Sequence, residues 1–170
     1  MGFLHAMRAV FLVLALYRLL KPVNKDHAVL MVVLALLGIP IAFLNEVNHL
    51  AALRLLSSAD EGAFTSTQLH AQAMLFLDMR QSGILVAQVF WGLWLLPLGL
   101  LIFRSEFLPK LLGILLVIGG AGYLIDSGTQ LLFPGLAMIS QFTFIGELLL
   151  PLWLLIKGVN VERWRQVTLA

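Results

Sequence analysis

Residues 136–156 read LAMISQFTFIGELLLPLWLLI, an apolar run interrupted only by Ser140, Gln141, Thr143, Gly146, Glu147 and Pro151. A run of this length crosses a bilayer as a helix, at the roughly 20 residues such a span needs. Within it, Glu147 is anomalous. A carboxylate near the bilayer centre costs several kcal/mol, roughly, unless it is neutralised, paired or hydrated. That residue marks a functional site by default, and the rest of the sequence has to supply its partners.

The remainder of the chain extends the same pattern. Of 170 residues, 61% are hydrophobic and 12% charged, with a mean hydropathy of +0.98. That is about half the charged fraction of a soluble domain, so the apolar excess faces lipid. Four further helices are predicted, over 4–20, 28–56, 69–103 and 111–133, ahead of 136–156. The fold class is therefore all-α: a polytopic transmembrane bundle of about five helices forming one domain over 1–170. Lys21-Pro22 stops the first helix, and Pro134-Gly135 the fourth. The polar stretch around Asp60 and Glu61 separates the second from the third, which Ser66 or Thr67 is expected to cap. A signal peptide over 4–20 is disfavoured, because no small-x-small cleavage site follows.

Charge excludes some functions and sets a direction. The net charge of +2 and pI near 9.3 come from basic residues in short turns, not from a patch with interleaved aromatics, so nucleic acid is not an expected partner. The absence of cysteine excludes disulfides, thiolate metal sites and cysteine nucleophiles. Eight of the eleven basic residues (Arg18, Lys21, Lys25, Arg104, Lys110, Lys157, Arg163 and Arg165) fall on alternate turns and the C-terminal segment. By the positive-inside rule this face is cytoplasmic, with the C-terminus inside and the N-terminus of the chain outside.

Depth follows from 1.5 Å per helical residue. Glu147 precedes Lys157 by ten residues and lies roughly 15 Å deep, near the midplane. Asp126 comes out at roughly 24 Å, in the outer half. Asn45, Glu46, Asn48, His49, Asp78 and Arg80 fall near the outer boundary, and Arg8 near mid-depth. Ser140, Thr143, Glu147 and Pro151 share one stripe, and Gly119, Gly122, Tyr123, Asp126 and Gln130 another; both should face the bundle. The glycines at 113, 119, 120 and 122 read as close-packing surfaces.

These placements suggest a polar pocket opening outward. Glu147 would form its floor, Asp126 its wall, and Glu46, Asn48 and His49 its mouth, with a small solute, a proton or a lipid headgroup as ligand. A structural ion pair between Arg8 and Glu147 is the competing explanation of the buried acid. Glu46-x-x-His49 resembles half of a di-iron ligand set, but the other half is missing. A single ion on Glu46, His49 and Asp126 is the remaining metal alternative; no metal or cofactor is expected. No Ser-His-Asp arrangement, HExxH or Gly-x-Ser-x-Gly occurs, so the pattern leans away from an enzyme. The alternatives are a structural or assembly subunit that docks other helices or a second copy of itself, and an intramembrane enzyme using Glu147 and Asp126 as acid and base.

Several stretches carry a family resemblance: 15–24 (ALYRLLKPVN), 76–78 (FLD), 102–105 (IFRS), 107–110 (FLPK), 122–127 (GYLIDS), 145–148 (IGEL) and 154–159 (LLIKGV). In this order they resemble a bacterial integral-membrane family known only as domain-of-unknown-function family 4386. The resemblance implies a multi-pass protein of the bacterial inner membrane. It also implies one further N-terminal helix than this chain carries, and it supplies no established activity or catalytic residues.

Overall fold

The computed structural model describes residues 2–57, 64–133, 136 and 138–169, with side chains from residue 7 onward. Among these residues the chain is an all-α helix bundle: α1 (Gly2–Leu20), α2 (Lys25–Ser57), α3 (Ser66–Arg104), α4 (Lys110–Leu132), α5 (Ser140–Thr143), α6 (Ile145–Ile156) and α7 (Val161–Leu169). Three of them, α2, α3 and α4, are individually long and apolar enough to cross a membrane. The segment Ser140–Ile156, followed at a 101° bend by Val161–Leu169, supplies a fourth candidate when the bent pair is counted as one span. That is three to four candidate spans where about five were expected, with α1 adding a helix of 19 residues beside α2.

Local chemistry sets the helix ends. Lys21 N–H closes the last turn of α1 onto Tyr17 O at 2.8 Å, and Pro22 has no N–H to continue it. Asn24 Oδ1 accepts the His27 N–H at 2.9 Å, the bond of a helix N-cap for α2. Thr65, rather than the expected Ser66 or Thr67, caps α3. Its hydroxyl accepts the Gln68 N–H while the Gln68 side chain accepts the Thr65 N–H, a reciprocal capping box. The Pro134-Gly135 stop and the Asp60–Glu61 loop lie outside the described residues.

The predicted helix 136–156 is broken. A four-residue α5 begins at Ser140, and the helix restarts after Phe144, whose ψ of −6° departs from helical geometry. Beyond Lys157, Gly158 adopts a left-handed φ of 67°, and α7 departs at 101°. Glycine suits this position because a Cβ disfavours that backbone region. Helix α7 was not foreseen from the sequence.

Packing runs in chain order, α1 on α2, α2 on α3, α3 on α4, and α5 and α6 on α4. The α3–α4 seam is built from facing glycines. A Cβ on Gly99 would lie 2.6 Å from Gly113 O, and one on Gly92 2.7 Å from Gly120 O. Small residues thus let the two backbones touch, the packing mode available where lipid removes any hydrophobic drive between helices. The buried core centres on Leu16, Leu20, Met31, Leu95, Leu98, Leu101, Ile102 and Leu116. It lies toward the end where most of the basic residues collect. There Trp164 Nε1 donates to Leu19 O at 3.0 Å and Asn160 N–H to Phe107 O at 3.2 Å, tying α7 to the α1 terminus and to the α3–α4 loop.

Candidate functional site

The structure divides the expected pocket into three separate places. Asn45, Glu46, Asn48 and His49 stand on α2 against Arg80 of α3. Glu46 pairs with Arg80 Nη2 at 3.8 Å and with His49 Nδ1 at 3.6 Å. Asn45 Nδ2 donates to Arg80 O at 2.8 Å, and Asn48 Nδ2 to Asn45 Oδ1 at 3.1 Å. Gly83 leaves room for Asn45, whose amide occupies the place a Cβ there would take. This knot fastens α2 to α3. It stays away from Glu147 because α3 lies between α2 and the α4–α6 layer.

Asp126 occupies the second place. It is 1% exposed, and both carboxylate oxygens accept backbone N–H groups, Oδ1 from Ile139 at 2.9 Å and Oδ2 from Ser140 at 2.7 Å. The start of a helix leaves such donors without intrahelical partners and carries partial positive charge. Asp126 therefore locks the head of the broken segment onto α4. It is absent from the lining of the Glu147 cavity.

Glu147 lies in the third place, in the first turn of α6, where the helix dipole favours negative charge. Gly146 brings it against α4: a Cβ there would lie 2.7 Å from the carbonyl carbon of Leu115. Glu147 lines a cavity of about 120 Å³ whose remaining walls are apolar apart from the indole of Trp94. Leu12 and Leu16 come from α1, Trp94, Leu95 and Leu98 from α3, Leu116 from α4, and Leu150, Pro151 and Leu154 from α6. The Tyr123 phenol of α4 is within interaction reach of the carboxyl, yet Glu147 Oε1 is buried and accepts no hydrogen bond from the protein.

The expected pair with Arg8 is not formed. Arg8 is exposed one turn before Leu12, and the ion pairs among the described residues both involve Glu46. Nor do Glu46, His49 and Asp126 form a common ion site, since no group of three such ligands comes together among the described residues.

The Ser140, Thr143 and Glu147 stripe does face α4. Thr143 packs against Gly119 and Gly122, and its Oγ1, like Gln88 Oε1 on α3, is buried without a hydrogen-bond partner. Sequence reasoning missed Tyr123 as the neighbour of Glu147. The signal was available: Tyr123 shares the Asp126 stripe one turn closer to the depth of Glu147. The indole of Trp94 in the cavity wall carried no such signal.

Comparison with known proteins identifies the family. The family model described as "Domain of unknown function (DUF4386)" matches residues 1–158, and the chain belongs to that family. A curated protein of Archaeoglobus fulgidus, named only "Uncharacterized protein", is 45% identical over 71 residues, covering 41% of this chain and 43% of that protein. The chain thus aligns with less than half the length of this relative, which comes from an archaeon where a bacterial setting was expected. No solved structure matches.

Proposed function

We propose that this member of a family without an assigned activity is a membrane-embedded binding protein. Its ligand is a small, mostly apolar molecule carrying one cationic or hydrogen-bond-donating group. The observation behind this is the unpartnered Oε1 of Glu147 in an otherwise apolar cavity of about 120 Å³. A cavity near this size accepts a body about as large as one benzene ring, which suits a membrane-partitioned amine better than a lipid headgroup. The amine supplies the countercharge that an ionised carboxylate needs at such depth. The protein spans a cell membrane with its basic end toward the cytoplasm, the arrangement its charge distribution favours.

An apolar carbodiimide, dicyclohexylcarbodiimide, tests this reading because it reaches carboxyl groups from the lipid phase. Peptide mass spectrometry is expected to find modification at Glu147 ahead of Glu46 and Asp126, with N-methylpyrrolidine, a tertiary amine that cannot be coupled as an amide, slowing it. Equal labelling of Glu46, or no protection by the amine, would overturn the proposal.

A second reading, an assembly subunit, is favoured by the exposure of α2. Leu44, Val47, Leu50 and Leu53 are all more than half exposed along a helix of 33 residues, about 50 Å long. Light scattering in detergent distinguishes the two readings: a stable dimer or larger assembly supports this one, and a monomer excludes self-assembly.

A further inference from the structure

A second cavity, of about 450 Å³, opens at the basic end of the bundle, remote from Glu147. It lies where the α3–α4 loop meets the turn between α6 and α7. Phe107 and Leu108 are buried beneath it, and Pro109, Trp153 and Val159 add to its apolar lining. Two cations stand at its rim, Lys157 and Arg163.

The turn that creates this cavity is over-determined. Lys157 and Gly158 N–H both donate to Trp153 O, at 2.8 and 3.0 Å, and Gly158 then reverses the chain at φ 67°. Asn160 caps α7 by accepting the Arg163 N–H at 3.1 Å, so that helix start is already occupied by the protein's own side chain. The recognition therefore belongs to the two cationic side chains. Lys157 Nζ sits 4.8 Å from the centre of the Trp153 ring. Arg163 Nη1 donates to the main-chain oxygen of Glu106 at 3.2 Å. These contacts hold both cations in place and neutralise neither. Glu106 is the one carboxylate among the lining residues, and neither cation is ion-paired among the described residues.

The place of the cavity points to its occupant. Helix α7 turns by 101° from the Ser140–Ile156 segment, so with that segment taken as the span α7 lies close to the membrane plane. A cavity beside it lies at the level of lipid phosphates. Basic pockets between helices at this level recognise anionic headgroups.

We propose that Lys157 and Arg163 form a binding site for a phosphate ester, with the apolar loop Phe107–Leu108–Pro109 receiving the group attached to it. The source is an anionic phospholipid headgroup or a soluble phosphate compound, which share this chemistry. The charge of the phosphate meets both cations, and Trp153 closes the side toward the bundle.

The test is native mass spectrometry of the purified full chain, offered dioleoylphosphatidylglycerol or dioleoylphosphatidylcholine at equal concentration. Preferential retention of phosphatidylglycerol is expected. Lys157→Gln with Arg163→Gln should weaken that retention by on the order of tenfold, given the usual attraction of a basic residue for an anionic surface. Both side chains are exposed, and each single variant should show part of the loss. Lys21→Gln with Lys25→Gln removes the same charge from the same end outside the cavity and should leave the preference intact. Equal retention of the two lipids, or an equal loss in the control variant, would overturn the site. Displacement of phosphatidylglycerol by inorganic phosphate would assign recognition to the phosphate alone. Retention against it would assign the whole lipid headgroup.

Discussion

Asp126 and Glu147 lie on the same seam, one on α4 and the other on the broken segment packed against it, and they meet opposite fates. Asp126 is almost completely buried, and both of its oxygens are used. Glu147 is partly buried, with the Tyr123 phenol beside its carboxyl and one oxygen, Oε1, that accepts no hydrogen bond among the described residues. Depth alone would have ranked Glu147 as the more strained and Asp126 as the more accessible. What separates them is the supply of backbone N–H groups. The start of a helix delivers two donors to Asp126, whereas Glu147 projects from the side of α6 into leucines. A buried acid in this bundle is thus structural where a helix start meets it and available to a ligand where none does.

The largest expected effect breaks the structural half of that contrast. Asp126→Ala removes both acceptors and strands two N–H groups, which should destabilise the protein by about 3 kcal/mol or more. Thermal unfolding in detergent reads this as a lower midpoint. Asp126→Asn keeps one acceptor and should fall between. A fully stable alanine variant would mean that the head of the broken segment is held by something else.

Next is the contact that presents Glu147. Gly146→Ala places a methyl group against the backbone of Leu115 and Leu116, which cannot retreat as a side chain would. Forcing α6 off α4 should cost about 1–3 kcal/mol and alter carbodiimide labelling at the neighbouring acid. Unchanged stability together with unchanged labelling would remove Gly146 from the account of the site.

The functional half predicts a dissociation between stability and chemistry. Glu147→Gln should leave the unfolding midpoint within about 1 kcal/mol of the parent, since no ion pair or protein donor is lost at Oε1. It should abolish carbodiimide labelling there. Glu147→Leu should be equally tolerated, as replacing a lone buried acid by an apolar side chain often is. A loss comparable to that of Asp126→Ala would make Glu147 a structural residue as well.

How much of this was legible beforehand follows the range of the interactions. The long helices announce themselves through hydropathy, and the glycine faces of α4 through spacing, because both depend on neighbours in sequence. The role of Asp126 required its partners, and these lie 13 and 14 residues further on, beyond a loop. The break at Phe144 left no proline or glycine at the break itself, so an apolar run concealed it. Helix α7 is short and polar, and its position depends on Asn160 reaching Phe107 and Trp164 reaching Leu19. The pocket was mislaid for a related reason. Residues at similar depth were assumed to share a space, whereas α3 stands between α2 and the α4–α6 layer.

Glu46 supplies the third term of the comparison and the smallest expected effect. Its side chain is 44% exposed and that of Arg80 34%, and their closest approach is 3.8 Å. Water competes for both groups, so the pair contributes at most about 1 kcal/mol. Glu46→Gln should therefore lower stability slightly, and added salt should shrink the difference between the two proteins. The direct Asn45–Arg80 hydrogen bond at 2.8 Å, which involves no carboxylate, should keep α2 and α3 together in the variant. If Glu46→Gln instead matched Asp126→Ala, exposure would not be what grades the acids of this protein. The contrast between Asp126 and Glu147 would then need a cause other than the donors each one meets.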